Sequence, residues 1–171
     1  SDLRSAARAV SAKLDGAEVN IPAEANEEDT LYGAITGADV ADALAGKILI
    51  DVTVPLVPPK VSRVQLPDGG SAVEAVQKML GEGVRVVSAF QNISAHHLTK
   101  LDEEIECDVL VCADDSEAAD QVVALAQEIG LRAWNAGPLC NSVVAEGLTS
   151  VLIALNRRYK VPGSGIRITG V

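Results

Sequence analysis

The polar side chains that could hold a ligand in this chain follow short apolar runs and form no known catalytic motif. The segments DVTVPL, SAFQNIS, CADDS and NAGPLCN carry amides, hydroxyls and carboxylates but no evident nucleophile or general base. Such a lining suits the positioning of a ligand, and direct hydride transfer between two cofactors needs positioning without a proton shuttle. A binding module without activity would show the same lining, so both classes stay open at this point.

Three titratable side chains, His96, His97 and Asp51, could each have either a functional or a structural role. His96 and His97 are adjacent, and adjacent residues diverge on a helix or a strand, so the pair is a poor chelator and we expect no metal site. A catalytic role for either histidine is the alternative to an exposed or capping role. Asp51 lies within ILIDVTVP and needs partners if it is buried. Nearby backbone amides or hydroxyls would supply them, and the alternative is a ligand contact made together with Thr53.

Composition excludes several classes of partner. The formal net charge is −10 over 171 residues, so the chain has no basic face to neutralise phosphates, and we expect no nucleic acid partner. No apolar stretch approaches the roughly 20 residues that span a bilayer, so we expect no membrane partner. The segment SDLRSAARAV lacks a secretory core, and the three cysteines have no disulfide spacing. We therefore expect a cytoplasmic protein with reduced thiols.

Strand-like and helix-like segments alternate along the chain. Strands are expected at 47–57, 84–90, 107–113 and 131–137, with an edge strand in GIRITGV, and helices at 2–14, 71–80, 115–129 and 139–158. Ser71 and Glu74 have the spacing of a capping box, and Asp114 with Glu117 is expected to cap the following helix. This order predicts an α/β fold with a largely parallel sheet, whose ligands bind at the carboxyl ends of the strands.

The helix expected at 139–158 is apolar around its full circumference. Such a helix is buried on several sides. It is either a central core helix or a helix shared with a second subunit, and we expect a homodimer formed through it.

Several segments in order resemble the NADPH-dependent reductases of coenzyme F420, the F420H2:NADP oxidoreductases. The matching segments are IDVTVPLVPPKV, GSAVEAVQ, VRVVSAFQNISAHHL, CDVLVCADD, GLRAWNAGPLCNSVVAEGLTSVLIALNRRYK and GIRITG, and together they cover about residues 47–171. The resemblance implies a cytoplasmic homodimer that exchanges a hydride between NADP and the 8-hydroxy-5-deazaflavin ring of F420. It implies a Rossmann-like fold divided into an NADP-binding remnant at 1–60 and an F420-pocket and dimerisation region at 61–171.

The resemblance also implies the cofactor contacts, with no catalytic side chain beyond the two positioned cofactors. Ser1 and Arg4 would meet the 2′-phosphate of NADP. The loops after the strands would meet the deazaflavin through Thr53, Val54, Pro55, Gln91, Asn92, Ile93, Ser94, Gly137, Pro138, Leu139 and Asn141.

The chain departs from the family at its start. Family members open with a strand and a G-G-T-G-x-x-G turn that receives the pyrophosphate, and neither stands before SDLRSAARAV. Three explanations of this departure stay open. Segments of the protein are omitted from the sequence, the chain is truncated, or it is a naturally shortened relative. If it is complete as written, we expect weak or absent NADP binding. Two other functions stay open, a non-catalytic F420-binding or dimerisation remnant and an NADP-dependent imine or ketone reductase.

Overall fold

The computed structural model describes residues 36–98 and 104–171. The expectations for Ser1, Arg4 and the elements before residue 36 lie outside these residues. The helices are α1 (Gly37–Ala43), α2 (Ala72–Leu80), α3 (Ala95–Leu98), α4 (Ser116–Glu128) and α5 (Ser142–Tyr159), and the strands are β1 (Ile48–Asp51), β2 (Arg85–Ser88), β3 (Asp108–Ala113) and β4 (Arg132–Asn135). A 3-10 turn, Leu139–Asn141, leads into α5.

The strands form one sheet in the order β1-β2-β3-β4. β1 pairs in parallel with β2, and β3 pairs in parallel with β4. The expected α/β class with a largely parallel sheet is therefore confirmed, although the central pair of β2 and β3 is antiparallel. β1 precedes residue 60 and β2 follows it, and the two strands pair, so both sides of the expected boundary contribute to one sheet. The division into 1–60 and 61–171 stays a prediction.

Because the central pair is antiparallel, the candidate segments that follow β2 and β3 lie at opposite edges of the sheet. Arg85, at the start of β2, lies 3.9 Å from the carboxylate of Asp115, which follows β3. Asn92, beyond the end of β2, donates to the carbonyl of Asp108 at the start of β3 over 2.7 Å. The end of β3 therefore lies beside the start of β2, because the two strands run in opposite directions.

Two apolar clusters cover the two faces of the sheet. Ile48, Ile50 and Val87 contact the cluster that contains the buried side of α4, whereas Leu49 and Val86 contact the cluster that contains α2. Neighbouring strand residues point to opposite faces, so this division follows from the two-residue repeat of strand geometry. The continuous apolar runs of β1 and β2 are thus explained by helices on both sides.

The helix starts follow their capping residues. The expected capping box at Ser71 and Glu74 is present, since each side chain accepts from the backbone amide of the other residue. The expected cap at Asp114 is wrong by one residue. Asp115 caps α4 by accepting from the Ala118 amide, because the Asp114 side chain instead accepts from the amide of Leu139 over 2.9 Å.

The long C-terminal helix was expected and is present as α5, which begins after the 3-10 turn. Ser142, Glu146 and Ser150 face the interior of the protein. The segment Leu139–Tyr159 is long and apolar enough to span a membrane, contrary to the expectation that no stretch is. This is weak evidence of a span, because a core helix meets the same criterion, and Glu146 accepts from two amides of α2.

The expected edge strand in GIRITGV does not form. Residues 163–171, called the C-terminal tail below, carry no strand, yet they pack against the start of β3. The carbonyl of Ile166 accepts from the Asp108 amide over 2.8 Å, and the Ile168 amide donates to the Asp108 carboxylate over 2.9 Å. The Asp108 carboxylate accepts the second hydrogen bond in place of a backbone carbonyl, so the tail is anchored to β3 without regular strand pairing.

Candidate functional site

Polar groups converge where β1 and β2 end. Asp51 is buried, and its carboxylate accepts from the Thr53 amide over 2.8 Å, which is the plainer of the two expectations for this residue. The Gln91 amide nitrogen donates to the Asp51 carbonyl over 2.9 Å and to the Ser88 hydroxyl over 2.8 Å. The Thr149 hydroxyl of α5 donates to the Gln91 carbonyl over 2.7 Å. The loop after β2 is thus held to β1 and to α5.

The backbone is strained at the start of this loop. Phe90 has a φ of 68°, the left-handed region that a bulky side chain seldom adopts. Its carbonyl accepts from the Ile93 amide over 3.0 Å, which closes a tight turn around Gln91 and Asn92. Strain of this kind is concentrated at ligand sites, where the surrounding structure holds it in place. The turn directs both amide side chains into the protein interior, where each is nearly fully buried.

A cavity of about 200 Å³ lies beside the turn. Asn92, Ile93 and Ser94 form one wall of it. His97 of α3 lies near the C-terminal tail, which forms the opposite wall through Gly163, Ser164 and Gly165, and the remaining lining is Glu104, Ile105, Glu106 and Cys107. Burial raises the pKa of the Cys107 thiol above its ordinary value, an effect that the Ile166 amide and Asn92 only partly offset. The thiol is therefore a neutral part of the wall.

The predicted ligand residues separate into three groups. Asn92, Ile93 and Ser94 line the cavity, whereas Gln91 and Thr53 do not line it and instead bind Asp51 at the end of β1. Val54 and Pro55 are half-buried and follow Thr53 out of the sheet. The third group, Gly137, Pro138, Leu139 and Asn141, does not line this cavity.

Local hydrogen bonds account for much of the third group. Asn141 donates to the Ala136 carbonyl over 2.7 Å, and the Gly137 amide donates to the side chain of Asn135 over 3.1 Å. Leu139 is buried in the cluster beneath α2. The structure thus gives these residues a turn-forming role, and their contact with a cofactor stays a prediction.

The sequence alone did not indicate the far wall of the cavity. His97 was expected to be exposed or capping, and the C-terminal tail was expected to be a strand. A signal was present in Gly165, because a Cβ there would lie 2.6 Å from the Cβ of Cys107. Close backbone approach is a common reason for glycine outside a turn.

A buried carboxylate lies close to the same strand ends. Glu146 accepts from the amides of Ala72 and Val73, over 2.8 and 3.2 Å, and so serves as a second cap of α2. Burial raises the pKa of Glu146, the two amides oppose the rise, and the charges of Asp51 and Glu74 add to it. Among the residues that the structure describes, no set of three or more His, Cys, Asp or Glu side chains is arranged to hold a metal ion.

Parallel strand pairs and helices on both faces define an α/β fold of the Rossmann-like type, a class in which ligands commonly bind at the strand ends. A crystal structure from Arthrobacter sp. FB24, provisionally named an F420-dependent NADP-reductase, has the same fold. The TM-score is 0.64 at 23% identity, over 80% of this chain and 67% of that one.

Sequence similarity relates most of the chain to one group of reductases. The F420-dependent NADP reductase of Methanocaldococcus jannaschii is 42% identical over 144 residues, which is 82% of this chain and 64% of that protein. Over about four-fifths of its length, the chain is similar to F420-dependent NADP reductases, at 38–42% identity. It spans 61–64% of the length of these curated relatives.

A second similarity covers the beginning of the chain. The family described as ribosomal protein L9, C-terminal domain, matches residues 5–55. The large ribosomal subunit protein bL9 of Nitratidesulfovibrio vulgaris is 49% identical over 45 residues, 26% of this chain and 27% of that protein. The match includes α1 and β1, and β1 pairs with β2 in the sheet. Residues 5–55 are therefore also similar to the L9 C-terminal domain, and part of this segment falls within the similarity to the reductases as well.

Proposed function

We propose that this chain binds the deazaflavin coenzyme F420 and takes part in hydride transfer between F420 and NADP(H). The observation that carries the proposal is the cavity beside Asn92, Ile93 and Ser94, the loop that the reductase resemblance assigns to the deazaflavin. The reductase names of the homologues support the same chemistry. Thr53, Val54, Pro55 and Gln91 would extend the site from the cavity toward the strand ends.

The residues of the chain would position the cofactors and supply no reacting group. When both are bound, the nicotinamide and the deazaflavin themselves carry the hydride. The turn at Phe90 and the wall at Ile93 orient one ring and keep water from it. A cavity of about 200 Å³ holds only part of a large coenzyme, so the remainder would lie outside it.

Two measurements test this function. Calorimetric titration with F420 should show binding that Ser94→Trp weakens at least about tenfold by filling the cavity, which corresponds to about 1.4 kcal/mol. Gln121→Trp, on α4 and exposed, is the matched control and should bind F420 like the parent protein. Mixing the protein with F420 and NADPH should then change the deazaflavin absorbance. If F420 does not bind, the proposal is wrong.

The match to ribosomal protein L9 favours a second candidate, an F420-binding chain without the dinucleotide site. Residues 5–55 lie before and across β1, where the reductase resemblance expects the NADP-binding part. Ser1 and Arg4, proposed to meet the 2′-phosphate, lie directly before that match. Separate titrations with NADP and F420 distinguish the candidates, because binding of F420 alone would support the second one.

We also propose a cytoplasmic homodimer formed through α5. Val144, Val151, Leu155 and Tyr159 are 61%, 44%, 37% and 66% exposed and recur every four or seven residues, so they form one apolar stripe along the helix. Cys107, Cys112 and Cys140 are all free thiols, which suits a reducing compartment.

Sedimentation velocity tests the dimer. The parent protein should sediment as a dimer, and Val151→Glu should convert it to a monomer by placing a charge in the stripe. Met79→Glu, at an equally apolar and exposed position on α2, should leave the dimer intact. A monomeric parent protein at micromolar concentration would contradict the proposal.

A further inference from the structure

Two neighbouring amide side chains have their nitrogens fully engaged. Gln91 donates to the Asp51 carbonyl and the Ser88 hydroxyl. Asn92 donates to the Asp108 carbonyl over 2.7 Å and to the Cys107 sulfur over 3.3 Å. An amide nitrogen has two donors, so these bonds determine which way each side chain faces. The oxygen of Asn92 must therefore point away from Asp108.

Both amide oxygens are buried without a partner. The Oε1 of Gln91 and the Oδ1 of Asn92 accept no hydrogen bond within the part of the chain that the structure describes. Gln91 and Asn92 are only 4% and 3% exposed, so solvent does not easily satisfy these oxygens. A buried acceptor without a partner lowers the stability of the folded protein by about 1–3 kcal/mol, and native proteins contain few such groups.

Asn92 is the one of the two amides that lines the cavity. Its oxygen can only accept, so it matches a ligand group that donates from N–H or O–H. Glu104 and Glu106 also line the cavity, and no Lys or Arg is among the described lining residues. The carboxylates of Glu104 and Glu106 therefore disfavour an anionic group, and the entering group is a donor without negative charge.

We propose that Asn92 determines specificity at this site by accepting a hydrogen bond from a ring N–H of the bound heterocycle. The inference rests on the proposed function, because the deazaflavin carries a cyclic imide N–H at one end of its three fused rings. The imide end would enter the cavity against Ile93, and the phosphate-bearing tail would leave on the side away from Glu104. The strained turn at Phe90 holds Asn92 in this orientation before the ligand arrives.

The test compares two ligands on the unaltered protein. Tail-free 8-hydroxy-5-deazaflavin and its N3-methyl analogue are titrated calorimetrically. Methylation removes the donor and leaves the acceptor unpaired, so we expect affinity to fall about tenfold or more. Because this comparison needs no variant, it does not depend on whether a substituted chain folds.

A variant then links the loss to Asn92. Asn92→Ala should weaken binding of the unmethylated ring by a similar factor, and the difference between the two ligands should disappear in it. Gln121→Ala, an exposed amide on α4, should retain the full difference. Equal binding of both ligands by the unaltered protein would overturn the role of Asn92 while F420 binding stands. If the tail-free ring and F420 both fail to bind, the proposed function is overturned as well.

Discussion

Two fully buried carboxylates, Asp108 at the start of β3 and Glu146 on α5, have opposite electrostatic surroundings. Asp108 is 0% exposed and lies 3.3 Å from Arg132 and 3.5 Å from Arg167. The indole of Trp134 also donates to it over 2.8 Å. Glu146 is 1% exposed and accepts from two backbone amides, with the negative charges of Asp51 and Glu74 nearby.

The two surroundings shift the pKa values in opposite directions. Burial pushes the pKa of Asp108 upward, but the Ile168 amide, the Trp134 indole and the two arginines outweigh burial and hold the pKa below its usual range. Burial also raises the pKa of Glu146, and there the two amides do not compensate for it. Equal burial therefore gives opposite charge preferences, because the partners of a carboxylate decide its pKa.

The two carboxylates have different roles in the structure: Asp108 is a structural anchor, whereas Glu146 is a buried polar group near the predicted ligand site. Asp108 joins β3, β4 and the C-terminal tail, so its charge is used to hold the far wall of the cavity. Glu146 joins α5 to α2 beside Asp51, at the strand ends where several of the predicted ligand residues lie. Perturbed groups are common at functional sites as well as in structural networks, so the partners must be identified before a role is assigned.

Removing the anchor should have the largest effect. Asp108→Ala leaves the Trp134 indole, the Ile168 amide and two arginines without their acceptor, and should lower the free energy of unfolding by about 3 kcal/mol. Both arginines are partly exposed, which moderates the loss. Denaturant unfolding measures it, and Glu117→Ala on α4 is the control. A loss below about 0.5 kcal/mol would show that the anchor is dispensable.

A smaller effect is expected where the tail meets β3. A Cβ in Gly165→Ala would lie 2.6 Å from the Cβ of Cys107 and 3.0 Å from the Glu106 carbonyl. The tail would have to shift, at a cost of about 1–3 kcal/mol in the free energy of unfolding. Gly83→Ala has open space around its Cβ and is the matched control. The same thermal or denaturant unfolding assay checks both, and equal stability of the two variants would contradict the close packing.

The smallest and most specific effect is on the pH dependence of stability. The contributions of Glu146 and Asp108 to the free energy of unfolding should change with pH in opposite directions. The pKa of Glu146 is raised by folding, so its contribution to stability is present below about pH 4 and is lost as pH rises through its folded value. The pKa of Asp108 is lowered, so its contribution is present above about pH 4 and is lost as pH falls through its folded value.

Unfolding free energies measured from acid to neutral pH check these signs. The stability advantage of the parent protein over Glu146→Gln should shrink as pH rises, whereas its advantage over Asp108→Asn should grow. The two variants serve as controls for each other, because global changes with pH affect both differences alike. Slopes of the same sign would show that the surroundings of the two groups do not differ as described.

Much of the local structure was predictable. The capping box of Ser71 and Glu74 lies within one turn of chain, and the continuous apolar runs of β1 and β2 identify strands covered on both faces. The extent of β1 was not predictable. The run 47–57 is apolar throughout, yet pairing ends at Asp51, because the side chain of Asp51 binds the Thr53 amide and turns the chain out of the sheet.

The candidate site was predictable on one side. The loop from Gln91 to Ser94 was identified from its position after a strand and from the family resemblance, and three of its residues line the cavity. The opposite wall was not identified. Gly165 lies far from Asn92 in the chain, and nothing in a local pattern states that Cys107 lies between them.

The sequence by itself determined the approximate positions of β1 to β4 and of the helices α2, α4 and α5, the start of α2 at its capping box and which family the chain resembles. These features depend on neighbouring residues, through side-chain period and capping. Only the tertiary structure decided that β2 and β3 are antiparallel and that the tail closes the cavity. It also decided that the side-chain oxygen of Asn92 is buried without a partner among residues 36–98 and 104–171. Each depends on contacts between distant segments, whose free energy comes from burial and hydrogen bonds that form only when the chain has folded.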